Sequence, residues 1–300
     1  MITNFDNLIK KLKNAAPKKM AIVSAEDEEV LLAIREAADH GICEAVLIGD
    51  ENAINKIAKD HNISLKGFEI VNEPDQGRAA LLGCDFVRSG RAGALMKGLL
   101  DTSKFMQAIL NKERGLVNQS GGLLSHVAAF EIPTYNKLLL VTDAAINIAP
   151  DLNEKSKMIQ NAVSIAKLLQ IEKPLVAVCC AVEKVNPKMP ATIDAAILSK
   201  MSERGQITGC IVDGPLALDN AINEESAKIK KINSPVAGRA DIIMCNDIES
   251  ANYLYKSLAF MANAKAGAIV AGASAPIVLT SRADSHNNKF LSIAMSMLTS

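Results

Sequence analysis

The chain predicts an α/β fold: two lobes with mainly parallel sheets and a cleft between them. Short apolar runs rich in Val, Ile and Leu alternate with longer stretches of 3.6-residue periodicity along all 300 residues, the pattern of repeated βαβ units. The resulting count of about ten strands is awkwardly wide for one sheet, which favours two lobes.

In chain order, residues 1–13 place Phe5, Leu8, Ile9 and Leu12 at helical spacing among Asn, Asp and Lys. They read as a surface helix rather than a leader with an apolar core and a small-residue cleavage site. Apolar runs at 20–24, 45–48, 68–71 and 94–97 are expected strands, separated by helices at 26–40, 51–60 and 74–89. Gly41 follows the first of these helices as a left-handed C-terminal residue would. The helix at 102–111 has Asp101, Thr102 or Ser103 available as its cap. Residues 111–125, with Gly115, Gly121 and Gly122 among Asn and Gln, are the least regular stretch and precede two adjacent strands at 127–131 and 138–142. A domain change is placed there. Strands at 175–180, 210–212 and 242–245 then alternate with helices at 153–169, 191–204, 224–232 and 249–264. A broken strand at 268–279 leads to a last helix at 285–298.

Composition excludes several functions. Thirty-three Lys+Arg balance thirty-three Asp+Glu, so no whole-molecule field holds DNA or a lipid surface, and any anion must be met locally. Aromatic residues are 3% of the chain and Trp is absent, which leaves few faces for stacking bases. The longest apolar stretch, 266–279, is interrupted by Gly267, Gly272, Ser274 and Pro276 and falls short of the ~20 residues that span a bilayer. Six cysteines, mostly inside apolar runs, show neither CxxC nor a His at ligand spacing, so reduced thiols and a cytoplasmic location are expected. The four histidines are scattered, and no HExxH, GxSxG or GxGxxG occurs. No metal site is expected.

Ligands of parallel α/β sheets lie beyond the carboxyl ends of the strands. That rule selects Ser24, Ala25 and Glu26; Lys97 and Gly98; Thr142 and Asp143; Glu183; Asp213 and Gly214; Asn246 and Asp247; and Ser281 to Ser285. The last group is the sharpest. Ser281, Arg282 and Asp284 bring a hydroxyl, a guanidinium and a carboxylate to one helix start, suiting an anionic ligand and a proton acceptor together. The alternative is that Asp284 caps the helix and pairs with Arg282. Lys97 and Gly98, followed by Thr102 and Ser103, form either a phosphate cradle or an ordinary capped turn; the spacing is not that of a Walker A loop. Asp143 and Asp213 each place a carboxylate at a strand end, lining the cleft or holding a local turn, and Pro215 suits a first helical position.

The runs MKGLLDTS (96–103), SHVAAFEI (125–132), LLLVTDAAI (138–146), VEKVNPKM (182–189), DGPLALDNA (213–221), DIESANYLYK (247–256) and PIVLTSRADS (276–285) together resemble the phosphate butyryltransferases. The resemblance extends from about residue 20 to the C-terminus. It implies a two-lobed fold similar to the isocitrate and isopropylmalate dehydrogenases, a homodimer or higher homo-oligomer, and an active site in the interlobe cleft. It implies the reaction of butyryl-CoA with phosphate to give butyryl phosphate and CoA, with acyl-CoA as substrate and no bound cofactor or metal. The last helix is expected to return to the first lobe, which gives lobe one as 1–125 plus 282–300 and lobe two as 126–281.

Ser281 and Arg282 match the family's Ser-Arg pair at the substrate anion. Acetyl-specific relatives carry an aspartate a turn further along, where this chain has Asn287, Asn288 and Lys289, so Asp284 is the candidate base by proximity. Relatives also carry an arginine in the helix that begins here near Thr102, where this chain has Phe105 and Met106, and Lys97 is the candidate replacement. The expected catalytic set is therefore Ser281, Arg282 and Asp284, with Lys97, Gly98, Thr102, Ser103, Asp143, Asp213 and Gly214 binding substrate. Acetyl or branched-chain acyl transfer and a non-catalytic CoA-binding protein are the alternatives. A decarboxylating dehydrogenase of similar fold would need a cluster of aspartates for its metal, and none is evident.

Overall fold

The computed structural model describes residues 1–117, 122–281 and 284–299. The chain contains two compact units: Phe5–Gly122 with Ala266–Ser300, and Met1–Asn4 with Leu123–Lys265.

The first unit opens with α1 (Phe5–Lys13), β1 (Lys18–Val23), α2 (Glu28–Asp39), β2 (Cys43–Gly49), α3 (Glu51–Asp60), β3 (Glu69–Asn72), α4 (Gln76–Arg88), β4 (Ala94–Lys97) and α5 (Thr102–Ile109). The second unit contains β5 (Ser125–Glu131), β6 (Leu139–Thr142), α6 (Leu152–Leu168), β7 (Leu175–Cys179), α7 (Pro190–Glu203), β8 (Ile211–Leu216), α8 (Leu218–Ile222), α9 (Glu224–Ile229), β9 (Ile242–Met244) and α10 (Ile248–Lys256). The chain then returns to the first unit through β10 (Lys265–Ala271), β11 (Ile277–Val278) and α11 (His286–Thr299).

Strand order in the first unit is β3-β2-β1-β4-β11-β10. Its strands are parallel except β10, which runs antiparallel to β11. Met20 to Val23, Val46 to Ile48 and Leu95 to Met96 are fully buried, as strands covered on both faces must be. α11 packs on α1 and α2, bringing Phe290, Leu291 and Ala294 into this core. In the second unit the order is β5-β6-β9-β7-β8, with β5 antiparallel to β6 and the rest parallel.

Aspartates before the helices serve as caps. Asp27, Asp50, Asp75 and Asp247 accept backbone N–H bonds from the first turns of α2, α3, α4 and α10, and Asp151 with Glu154 forms a capping box on α6. Gly41 has φ +69°, the left-handed conformation expected after α2.

Three features differ from expectation. The chain crosses back at Ala266 rather than at Arg282, because β10 pairs with β11 and β11 hydrogen-bonds to β4. Asp213, Gly214 and Pro215 lie inside β8 rather than beyond it, and the following helix starts only at Leu218. β8 is the outer strand of its sheet, where a proline without an N–H is tolerated. The helix expected over 249–264 ends at Lys256 and widens into a π-helical turn, Ser257–Met261.

Burial pushes the Cys43 thiol from its ordinary 9.0 up to about 12. The folded thiol thus stays protonated where the unfolded one ionises, so its contribution to stability is complete below about pH 9 and declines as pH rises towards 12. Thermal melts should show stability falling from pH 9 to pH 11, by up to ~1.4 kcal/mol per pH unit for each such thiol. Cys43→Ala should flatten that slope; an unchanged slope would rule Cys43 out as a contributor.

Candidate functional site

In the first unit the chain runs outward from β1 through β2 to β3, then returns to place β4 on the other side of β1. The crevice beyond the carboxyl ends of β1 and β4 is thus the topological switch point, where open α/β sheets bind ligands. Here two backbone segments meet closely. Gly98 donates its N–H to the Val23 carbonyl at 2.8 Å, and Leu99 donates to the Ser24 carbonyl at 2.6 Å. A Cβ on Gly98 would stand 2.1 Å from the Ser24 oxygen, so only glycine fits. Ser24 itself is buried with φ +51°, an uncommon conformation for a residue bearing a side chain.

Lys97 ends β4 and is buried; its ammonium donates to the carbonyls of Gly98 at 3.2 Å and Leu100 at 3.0 Å. Beyond it, Thr102 and Ser103 are exposed in the first turn of α5, whose N-cap Asp101 makes no side-chain capping bond. A groove of about 480 Å³ lies between α4 and α5, lined by Asp75, Arg78, Lys104 and Gln107 among others. Arg78 spends its Nε and Nη2 on Glu73, which weakens the groove as an anion site.

β11 lies beside β4 in parallel register, Val278 opposite Met96, so the residues after both strands leave the sheet along one edge. Arg282 and Ala283 lie outside the described residues; the residues flanking them are tied together. The Ser281 N–H donates to Asp284 Oδ2 at 2.7 Å, and the Asp284 N–H donates to the Ser281 carbonyl at 3.2 Å. Lys289, buried one turn into α11, donates from Nζ to the Ser281 carbonyl at 3.4 Å and to the Asp284 carbonyl. Asp284 therefore braces the end of β11 instead of capping α11. The first turn of the helix is met by Ser285, whose Oγ accepts from the Asn288 N–H at 3.4 Å. Lys289 stands out in the sequence only as a charge leading into the apolar run that begins at Phe290, and position alone gave it no role.

The candidates in the second unit are held locally. Asp143 is buried, and its carboxylate accepts from the N–H groups of Ala145, Ile146 and Asn147 and from Asn147 Nδ2 at 2.6 Å, which makes it the anchor of its own turn. Asp213 accepts from the Gly214 N–H at 2.8 Å, and Gly214 gives β8 room, since a Cβ there would come within 2.9 Å of Val178 Cβ. Asp247 caps α10, and Glu183 pairs with Lys230 at 3.3 Å. Burial raises the Cys179 thiol to about 12 and raises Cys180 as well, which disfavours either as a thiolate nucleophile. Among the described residues no group of three or more His, Cys, Asp or Glu could hold a metal, and no helix is long and apolar enough to cross a membrane.

The sequence matches the family model described as Phosphate acetyl/butaryl transferase over residues 4–79 and 75–297. It is 49% identical to a phosphate butyryltransferase of Clostridium acetobutylicum, over 99% of this chain and 98% of that protein. It is 45% identical to a phosphate acetyltransferase of Thermotoga maritima, over 93% and 94% of the two chains. Among solved structures, a branched-chain phosphotransacylase from Enterococcus faecalis superposes with a TM-score of 0.83 at 30% identity, covering 94% of this chain and 98% of that one.

Gly98→Ala should lower stability by ~1–3 kcal/mol, the usual cost of overpacking, because the new methyl meets a backbone oxygen that cannot rotate away. A melting temperature within 1 °C of the parent would contradict the close approach of β1 and β4.

Proposed function

This chain belongs to the phosphate acetyl/butaryl transferase family, and on that premise we propose that it transfers an acyl group between coenzyme A and inorganic phosphate, with butyryl as the preferred group. The near full-length likeness to a phosphate butyryltransferase carries this reading. The carboxyl edge of the first unit supports it. Lys97 and Lys289 bring buried positive charge to the edge that also presents Ser281 and, in sequence, Arg282.

In the direction of CoA acylation, the CoA thiol gives its proton to a carboxylate and its sulfur attacks the acyl carbonyl carbon of butyryl phosphate. The tetrahedral oxyanion then collapses, the bond between carbonyl carbon and phosphate oxygen breaks, and phosphate leaves. A free thiol ionises near ~8.5, so a base beside it raises the reactive fraction at neutral pH. Asp284 is our candidate for that base. Arg282 holds the phosphate with its two-pronged guanidinium, and Ser281 donates to the oxyanion, a type of contact worth ~2.7–4 kcal/mol in studied enzymes. Lys97, Gly98, Thr102 and Ser103 line the phosphate side. Transfer between two bound substrates needs no enzyme nucleophile, which agrees with thiols whose ionisation is suppressed by burial. The six free cysteines suit the reducing cytoplasm.

Release of CoA from acyl-CoA, followed with a thiol reagent, should depend on added phosphate, with kcat/KM highest for butyryl-CoA among acetyl-, butyryl- and isobutyryl-CoA. Absence of phosphate-dependent release would overturn the assignment; a preference for acetyl-CoA or isobutyryl-CoA would overturn the acyl choice alone. Asp284→Asn keeps an oxygen for the Ser281 N–H but loses basicity. It should reduce kcat for CoA acylation by roughly 10²–10⁴ with smaller changes in KM. Near-normal kcat would leave Asp284 with its bracing role only.

A further inference from the structure

Lys289 is a buried cation that the chemistry above does not use. It is 3% exposed, and among the described residues no carboxylate lies within ion-pair distance of its Nζ. Its described partners are two backbone carbonyls, those of Ser281 and Asp284. Burying an ammonium is costly unless its charge is met, and carbonyl dipoles meet it only in part. Lys97, also in the first unit, likewise donates to backbone carbonyls, whereas the buried lysines of the second unit are answered by carboxylates. Lys155 reaches Asp194 at 2.7 Å, and the largely buried Lys137 pairs with Asp241 at 2.5 Å.

The position of Lys289 is specific. Its ammonium bonds the carbonyls on both sides of Arg282 and Ala283, while the Ser281 N–H is committed to the Asp284 carboxylate. Asn288, one residue earlier, accepts from the Ala266 N–H at 3.3 Å, and Ser292 Oγ accepts from the Ala268 N–H at 2.9 Å. The helix that carries Lys289 is thereby fastened to β10, which fixes the backbone from which the ammonium reaches the Ser281 segment.

We infer that Lys289 is a positioning residue for the phosphate substrate: it fixes the backbone beside Ser281 from behind and holds there a positive charge that the bound anion completes. The inference rests on the proposed phosphate acyltransferase reaction. It separates phosphate from acyl-CoA, because the charge stands behind the segment assigned to the anion.

The test compares wild type, Lys289→Met and Lys289→Arg, with calorimetric binding of inorganic phosphate beside steady-state kinetics. For Lys289→Met we expect phosphate KM and the phosphate dissociation constant to rise at least tenfold while the KM for acyl-CoA stays within threefold. Lys289→Arg, which keeps a cation and its donors, should return phosphate KM to within threefold of wild type. Unchanged phosphate binding in a folded Lys289→Met protein overturns the inference, as does an equal rise in both KM values. Should Lys289→Met not fold, Lys289→Gln takes its place; loss of the folded state in both neutral variants makes Lys289 a stability residue and also overturns it. A wild-type protein without phosphate-dependent acyl transfer, by contrast, would defeat the functional reading itself.

Discussion

The amide of Leu99 reaches the carbonyl of Ser24 at 2.6 Å because residue 98 has no Cβ to hold the two chains apart. That contact determines where β1 and β4 stop and how their following segments diverge. Ser24 accepts a left-handed backbone to make it, and Lys97 turns its ammonium over the carbonyls of Gly98 and Leu100. Since β11 continues the same parallel register, the position of Ser281 is tied through Met96 and Val278 to the same junction. The edge residues thus occupy positions set by strand pairing, with no need for a long ordered loop to place them.

Charge is arranged differently in the two units. In the second, Lys137 and Lys155 find aspartates, Asp143 is absorbed by its own turn, and local neutrality is reached inside the protein. In the first, the ammonium groups of Lys97 and Lys289 donate to carbonyls at the edge of the sheet. A chain with no net charge can bind an anion in this way, by concentrating cations at one edge rather than spreading them over a surface.

Strand and helix alternation was legible because buried parallel strands need continuous Val, Ile and Leu runs, and those at 20–23, 46–48 and 94–96 could hardly be read otherwise. The Asp-Gly-Pro sequence at 213–215 misled for a physical reason: its residues favour turns locally, yet pairing of Ala177 with Asp213 and Cys179 with Leu216 keeps them in an outer strand. Local chemistry lost to tertiary pairing. The return of the chain at Ala266 was hidden because β10 and β11 are apolar runs that either unit could accept. Ser281 and Asp284 are candidates by their strand-end position, whereas Lys289 is not, since its bonds to Ser281 and Asp284 become visible only when α11 is placed against the end of β11.

Phosphate titration followed by amide hydrogen exchange shows whether the anion is held at the carboxyl edge of the first unit. An anion bound there slows exchange at Gly98, Leu99 and Asp284 and in the first turn of α11, with the strand ends at Cys180 and Asn246 of the second unit little changed. Protection confined to the second unit, with the first unit's edge unaffected at saturating phosphate, would contradict it.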